Sequence, residues 1–254
     1  MKKLACVVVA MALAGAFAVP AFAQSPASNK AFLASSPNGV KVAPVNGQGW
    51  SAPVIVYNIP NALKTSNVGG VSAVLSMETA LWTYNLTQAI ITADATVKGK
   101  SSGSGSSSSR AAIKAWVELD GVPMEPAIVD PITGAVDGVV YDDRLQATGL
   151  TVNLLCSGTD SVGGAILCNV TGDITLELFQ QTKSAHSFVF YLGPLDSTLH
   201  SIVVKAQALI ECRSNGTVTA CPQATLDGYT GASTMAVIGK ASLMIEEQQN
   251  FGSN

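Results

Sequence analysis

Residues 113–121, Ile113-Lys114-Ala115-Trp116-Val117-Glu118-Leu119-Asp120-Gly121, decide how this chain folds. Apolar and polar side chains alternate as far as Leu119, the period of two that belongs to a strand with one face turned to a core. Asp-Gly then closes the run with a dipeptide suited to a two-residue hairpin turn. Trp116, Glu118 and Asp120 stand two apart along the strand and so share its polar-leaning face.

Working outward, residues 101–109 read SSGSGSSSS, which carries nothing to bury and predicts a flexible loop at an exposed hairpin tip. Further upstream, residues 54–57 predict a short strand, and residues 68–86 and 90–97 are long stretches rich in Val, Thr and aromatics. Residues 77–82 would suit a helical turn, but their neighbours favour strand. Downstream, residues 130–138 form a turn-rich loop, and strands are predicted at 139–141, 145–155, 174–179, 188–192, 200–210 and 235–245. In the last of these, Val237, Ala241, Leu243 and Ile245 are expected on one face, and a tight connection is expected at 193–196. About ten strands and no amphipathic helix predict an all-β fold, an antiparallel β-sandwich of jelly-roll type.

The N-terminus carries Lys2 and Lys3, an apolar run over residues 4–19, then Pro20 and Ala21-Phe22-Ala23. Those are the charged region, apolar region and A-x-A site of a secretory signal, with cleavage expected after Ala23. Cys6 lies at the start of the apolar run and not after it, so it does not form a lipoprotein box. The expected organisation is a signal peptide at 1–23, an extended or disordered arm at 24–49, one domain at 50–247 and a polar tail at 248–254. No later stretch offers the roughly 20 apolar residues of a transmembrane anchor, so a secreted or periplasmic bacterial protein is expected. An outer-membrane barrel needs aromatic girdles, and only 6% of residues are aromatic. Without Lys2 and Lys3 the chain has 12 basic against 17 acidic residues, a formal charge of −5. That balance repels phosphate backbones and excludes nucleic acid as an expected partner.

Four cysteines follow the signal: Cys156, Cys168, Cys212 and Cys221. An even number in an exported chain favours disulfides, with three pairings available. Each close pair brackets a polar, Gly-bearing stretch, which predicts Cys156 with Cys168 and Cys212 with Cys221 across hairpins. Neither spacing matches the close ligand pairs of a zinc site.

Residues 188–206, FVFYLGPLDSTLHSIVVKA, together with residues 113–122, IKAWVELDGV, resemble the strand set of uncharacterised secreted bacterial β-sandwich proteins of jelly-roll or immunoglobulin-like type. The resemblance covers 29 residues, about a ninth of the chain. It implies a fold and brings no catalytic residues with it.

Candidate chemistry is sparse. Trp116, Glu118 and Asp120 combine a stacking ring with two carboxylates, the equipment of a glycan-binding module or glycoside hydrolase. The E-L-D fragment resembles the E-x-D signature of β-jelly-roll glucanases but departs from it at the third acid, where Gly121-Val122-Pro123-Met124-Glu125 turns away. No cofactor is expected except, as a candidate, calcium. Asp130, Asp137, Asp142 and Asp143 lie within 14 residues in loop-like sequence, although turn-forming aspartate explains Asp130 and Asp137 equally well. His186 and His200 begin strands, where a histidine ordinarily bonds a turn. The function expected is therefore an exported, non-catalytic surface, adhesion or assembly component, with a second copy or a surface glycan as partner. In one version the arm 24–49 pairs with a sheet edge of a neighbouring copy. The alternative is the glycan-directed module or hydrolase using Trp116, Glu118 and Asp120.

Overall fold

The computed structural model describes residues 30–35, 40–42, 49–65, 69–93, 100–155, 172–224 and 233–248. Thirteen strands follow one another among them: β1 Lys30–Ser35, β2 Val40–Val42, β3 Val54–Lys64, β4 Gly69–Ala93, β5 Lys100–Leu119, β6 Val122–Pro123, β7 Ile128–Val129, β8 Val136–Asp137, β9 Val139–Leu155, β10 Gly172–Leu195, β11 Leu199–Ser214, β12 Thr217–Thr219 and β13 Met235–Gln248. All pairings are antiparallel, and the fold is nearly barrel-shaped. Among the described residues no helix is long and apolar enough to cross a membrane.

The alternating run at 113–119 lies in β5, with β11 on one side and, on the other, β9 as far as Ala115 and β6 at Glu118 and Leu119. β3 pairs with the far edge of β11, so this half of the sheet reads β3–β11–β5–β9. Asp120 and Gly121 both take positive φ, 50° and 82°, the left-handed pair a two-residue hairpin needs, and the chain returns as β6. In the other half β4 runs between β10 and β13. The halves join where β4 passes into β5, at Thr92 opposite Ser102 and Ala93 opposite Ser101.

Alternation then fills one interior. Ile113, Ala115, Val117 and Leu119 of β5 meet Ile202, Val204 and Ala206 of β11 on one side, and Val71, Ala73, Leu75, Met77 and Leu81 of β4 on the other, all buried in a single cluster. Burying each of the larger aliphatic side chains contributes about 1.5–3 kcal/mol. β13 adds Ala236 and Ile238, then Ala241, Leu243 and Ile245. Its register against β4 shifts between Ile238 and Ala241, so the inward row changes from even to odd numbers. Val237 therefore faces away from Ala241, Leu243 and Ile245, because a bulge inserts one extra residue that a strict period of two does not allow for. Two tyrosines tie the halves together: Tyr141 donates to the Leu75 carbonyl at 2.8 Å and Tyr57 to that of Ala241 at 2.6 Å.

Several expectations change in detail. The Ser/Gly run 101–109 is part of β5 and not a loop, with Ser107 and Ser109 buried. The backbone of β4 lies directly on it: a side chain at Gly103 would meet the Ile90 carbonyl oxygen, and one at Gly105 that of Gln88. Small residues are needed there for close approach, which a reading based on apolar content cannot distinguish from a linker. Two stretches of the expected arm, β1 and β2, are strands, and both lie along β13 of the same chain. Residues 77–82 are strand throughout, and residues 174–192 form one strand where two were expected.

Cys212 and Cys221 form the expected disulfide, closing the β11–β12 hairpin over Asn215 and Gly216, whose φ values are 48° and 79°. A loop this short stabilises by roughly 2–3 kcal/mol in the chain-entropy account. Cys156, Cys168, residues 1–23 and residues 249–254 lie outside the described residues.

Candidate functional site

Lys114, Trp116 and Glu118 alternate with the inward apolar row of β5, and their face is also covered, Trp116 belonging to the same buried apolar cluster. Trp116 is 2% exposed and Glu118 6%. The Trp116 indole N–H donates to Glu118 Oε1 at 2.8 Å, and Lys205 Nζ sits 2.9 Å and 2.8 Å from the two oxygens of that carboxylate. Lys114 pairs with Asp137 at 3.1 Å and lies 4.6 Å from the centre of the Trp50 ring. Gly138 passes so close to Trp116 that a side chain there would stand 2.9 Å from Cε3. The row expected to present a stacking platform is thus a buried polar girder, and Trp116 has no open face for a sugar ring.

Asp120 does not join Glu118. The turn swings its carboxylate to His200, with Oδ2 2.7 Å from Nδ1, while Oδ1 accepts the Ser201 backbone N–H at 2.8 Å. His200 is buried, and its Nε2 lies 3.0 Å from Thr65 Oγ1 and 3.2 Å from the Asp196 carbonyl oxygen. An Asp–His–hydroxyl sequence is present in outline, but the Thr65 side chain is fully buried and donates to the Asp196 carbonyl. The cluster fastens the connection between β10 and β11 to the end of β5, the turn-bonding role expected of a strand-initial histidine. His186 sits apart on β10, opposite Met77.

Partial burial opposes ionisation of Asp120, but the Ser201 N–H and His200 outweigh it and hold the carboxyl below its ordinary value of 3.8. A carboxyl whose folded-state pKa is depressed contributes stability in full above the unfolded-state pKa and loses it as pH falls through the folded-state value. Asp120→Asn should therefore be less stable than wild type near neutral pH, with the gap in urea midpoint closing as the pH is taken below about 4. A gap that persists unchanged to low pH would show that the carboxylate's charge does not fasten this corner.

The aspartates considered for calcium separate. Asp130 Oδ1 accepts the backbone N–H groups of Ile132 and Thr133 at 2.8 Å and 3.0 Å, an Asx turn, and these two bonds hold its carboxyl below the usual range. Asp137 faces Lys114. Asp142 Oδ2 points inward to the hydroxyls of Thr79 and Ser184 at 3.0 Å and 2.6 Å, and Asp143 makes a two-pronged pair with Arg110. Closeness in sequence does not bring them to one point. Among the described residues no group of three or more His, Cys, Asp or Glu is placed to hold a metal ion.

The feature with the clearest capacity to engage something else is β10. It is 24 residues long and pairs with β4 without interruption from Gly172 opposite Ile91 to Leu192 opposite Val71. On its other edge, among the described residues, the only bridge is between Tyr191 and Glu125. β9 lies across β4, not β10: Thr79 bonds Asp142, Asn85 bonds the Gln146 carbonyl, and Thr87 bonds Thr148. β10, one strand further out, overhangs that layer, tethered to it by Ser184–Asp142 and Gln180–Arg144. The overhang leaves Ile174 and Leu176 on its inner face about two-fifths exposed, and Val189 on its outer face 62% exposed. The alternation at 174–179 and the aromatic run at 188–192 were legible separately; the polar stretch between them, Gln180 to Ser187, carries no alternation to connect them.

Comparison with protein-family models finds none that matches the chain, and comparison with curated proteins finds no match.

Proposed function

We propose that the protein is an exported, non-catalytic β-sandwich of jelly-roll type, released by cleavage after Ala23, which serves as a surface or assembly component outside the cytoplasm and associates with its own kind through strand pairing. The observation that carries this reading is the long overhanging edge of β10. A strand edge offers a row of backbone donors and acceptors to any further strand, and soluble chains usually shorten, bend or cover such edges. Here the edge is long and free of register shifts up to Leu192, and apolar side chains are left exposed beside it. Strand addition supplies affinity from main-chain hydrogen bonds and suits a protein whose role is to build a layer or coat.

The test is the size of the mature chain, residues 24–254, by light scattering over a range of concentrations, beside Ala185→Pro. Ala185 faces Glu78 in the β4 register and is exposed. Its odd number places its N–H, like that of Tyr191, on the outer edge, so proline removes an edge donor and leaves the β4 ladder intact. Multimers in the wild type and monomers in Ala185→Pro, with similar melting temperatures, are expected. A wild type that stays monomeric, or a variant that still assembles, overturns the reading.

A further inference from the structure

We propose that the partner on this edge is a second copy of β10, running antiparallel about a two-fold axis at Gln180; the inference rests on the assembly reading and gives it a register. Three observations select that register.

The first is backbone direction. Tyr191 exchanges both of its main-chain hydrogen bonds with Glu125, each 2.8 Å, so its N–H and C=O point away from β4. Because β10 keeps register with β4 from Gly172 to Leu192, every odd-numbered residue in that span points the same way. Two such strands related by a two-fold axis can bond only if odd residues oppose odd residues, so the axis must pass through a residue and never between two.

The second is charge. From residue 172 to 188 the strand carries Asp173, Glu177 and Lys183. An axis at Lys183 sets lysine against lysine, and an axis at Glu177 sets glutamate against glutamate. With the axis at Gln180, Glu177 of each copy faces Lys183 of the other, twice over, and Asp173 faces Ser187; an axis at Leu178 likewise sets Asp173 against Lys183, but its ladder would stop at Ser184 and leave Phe188 unpaired. Directly opposed unlike charges favour a strand pair and like charges oppose it. Lys183 is two-thirds exposed, and its contact to Glu78 is a loose 3.5 Å, which leaves it able to reach across.

The third is space. In this register the ladder runs from Gly172 opposite Phe188 to Phe188 opposite Gly172. It ends three residues short of Tyr191, where Glu125 already occupies the edge. The blocked end of β10 thus lies outside the proposed interface, and the overhang lies inside it.

On the axis, Gln180 meets its own copy as a non-hydrogen-bonded pair, where Cα atoms are about 4.5 Å apart. That spacing accepts a disulfide. Leu178 and Thr182 face each other across copies, so each is far from its own twin. Cysteine is placed singly at 178, 180 and 182 in the mature chain, and dimers are scored on non-reducing gels with the wild type as background. Efficient cross-linking by Gln180→Cys and background levels from Leu178→Cys and Thr182→Cys are expected. In parallel, Lys183→Glu and Glu177→Lys should each weaken self-association at least tenfold, and the two together should restore it. A wild type that multimerises while Leu178→Cys or Thr182→Cys cross-links instead, or while neither charge reversal matters, overturns this register and leaves assembly standing. A wild type that remains monomeric overturns both.

Discussion

Trp116→Ala should unfold at roughly 3–5 kcal/mol less than wild type, the range for truncating a large aromatic in a packed interior. Trp116 is among the largest fully buried side chains, and Gly138 packs against its ring. The substitution opens a cavity under residues 136–138 and removes the indole N–H from Glu118. For a chain of this size that predicts a fall in melting temperature of about 10 °C. Trp116→Phe separates the two contributions. It keeps most of the ring and removes only the N–H, while Lys205 still holds both oxygens of Glu118, so a loss of about 1–3 kcal/mol is expected. A Trp116→Ala protein as stable as wild type would mean that the ring is not enclosed, and would return it to consideration as a sugar platform.

Trp116 also marks where reading residues in order stops being sufficient. The alternation at 113–119 and the Asp120–Gly121 turn are local properties, and both are visible in the chain because a strand period and a left-handed turn need only neighbours. The Cys212–Cys221 hairpin is legible for the same reason. Whether the second face of β5 meets solvent depends on residues 136–138 folding back and on Lys205 arriving from β11, partners 20 to 90 residues away. A polar face covered by matched charges has the composition of a wet one. The aspartates fail in the opposite sense: four carboxylates close in sequence are sent to Ile132 and Thr133, Lys114, Thr79 and Arg110, because Asp130 closes its own turn and the neighbours Asp142 and Asp143 point to opposite faces of β9. β10, the feature proposed to act, was half legible. Its two ends show strand character, and its middle is continuous only because β4 pairs with it.

Gly105→Ala should be the most damaging single-methyl addition among the described glycines. The added carbon would stand 1.9 Å from the Gln88 carbonyl oxygen, and at Gly103 it would stand 2.3 Å from that of Ile90. No side chain can rotate to relieve this, since the obstacle is the main chain of β4. The two layers must separate, and the hydroxyl cluster of Thr87, Ser107 and Thr148 between them would be pulled apart. Overpacking typically costs about 1–3 kcal/mol; with a rigid backbone on one side and a cluster of three hydroxyls losing partners, a loss of about 3 kcal/mol or more is expected. Gly149 is the control. It pairs with Ser106 on the neighbouring strand, and an added carbon there meets nothing within 4 Å. Gly149→Ala should match or exceed wild type by about 0.5 kcal/mol, because alanine loses less backbone freedom than glycine on entering a strand. Urea midpoints at constant slope would decide it. If both variants unfold alike, the Ser/Gly run is not pressed against β4 and behaves as the flexible loop its composition suggests. If Gly105→Ala alone collapses, the run is a strand made of small residues because another backbone lies on top of it.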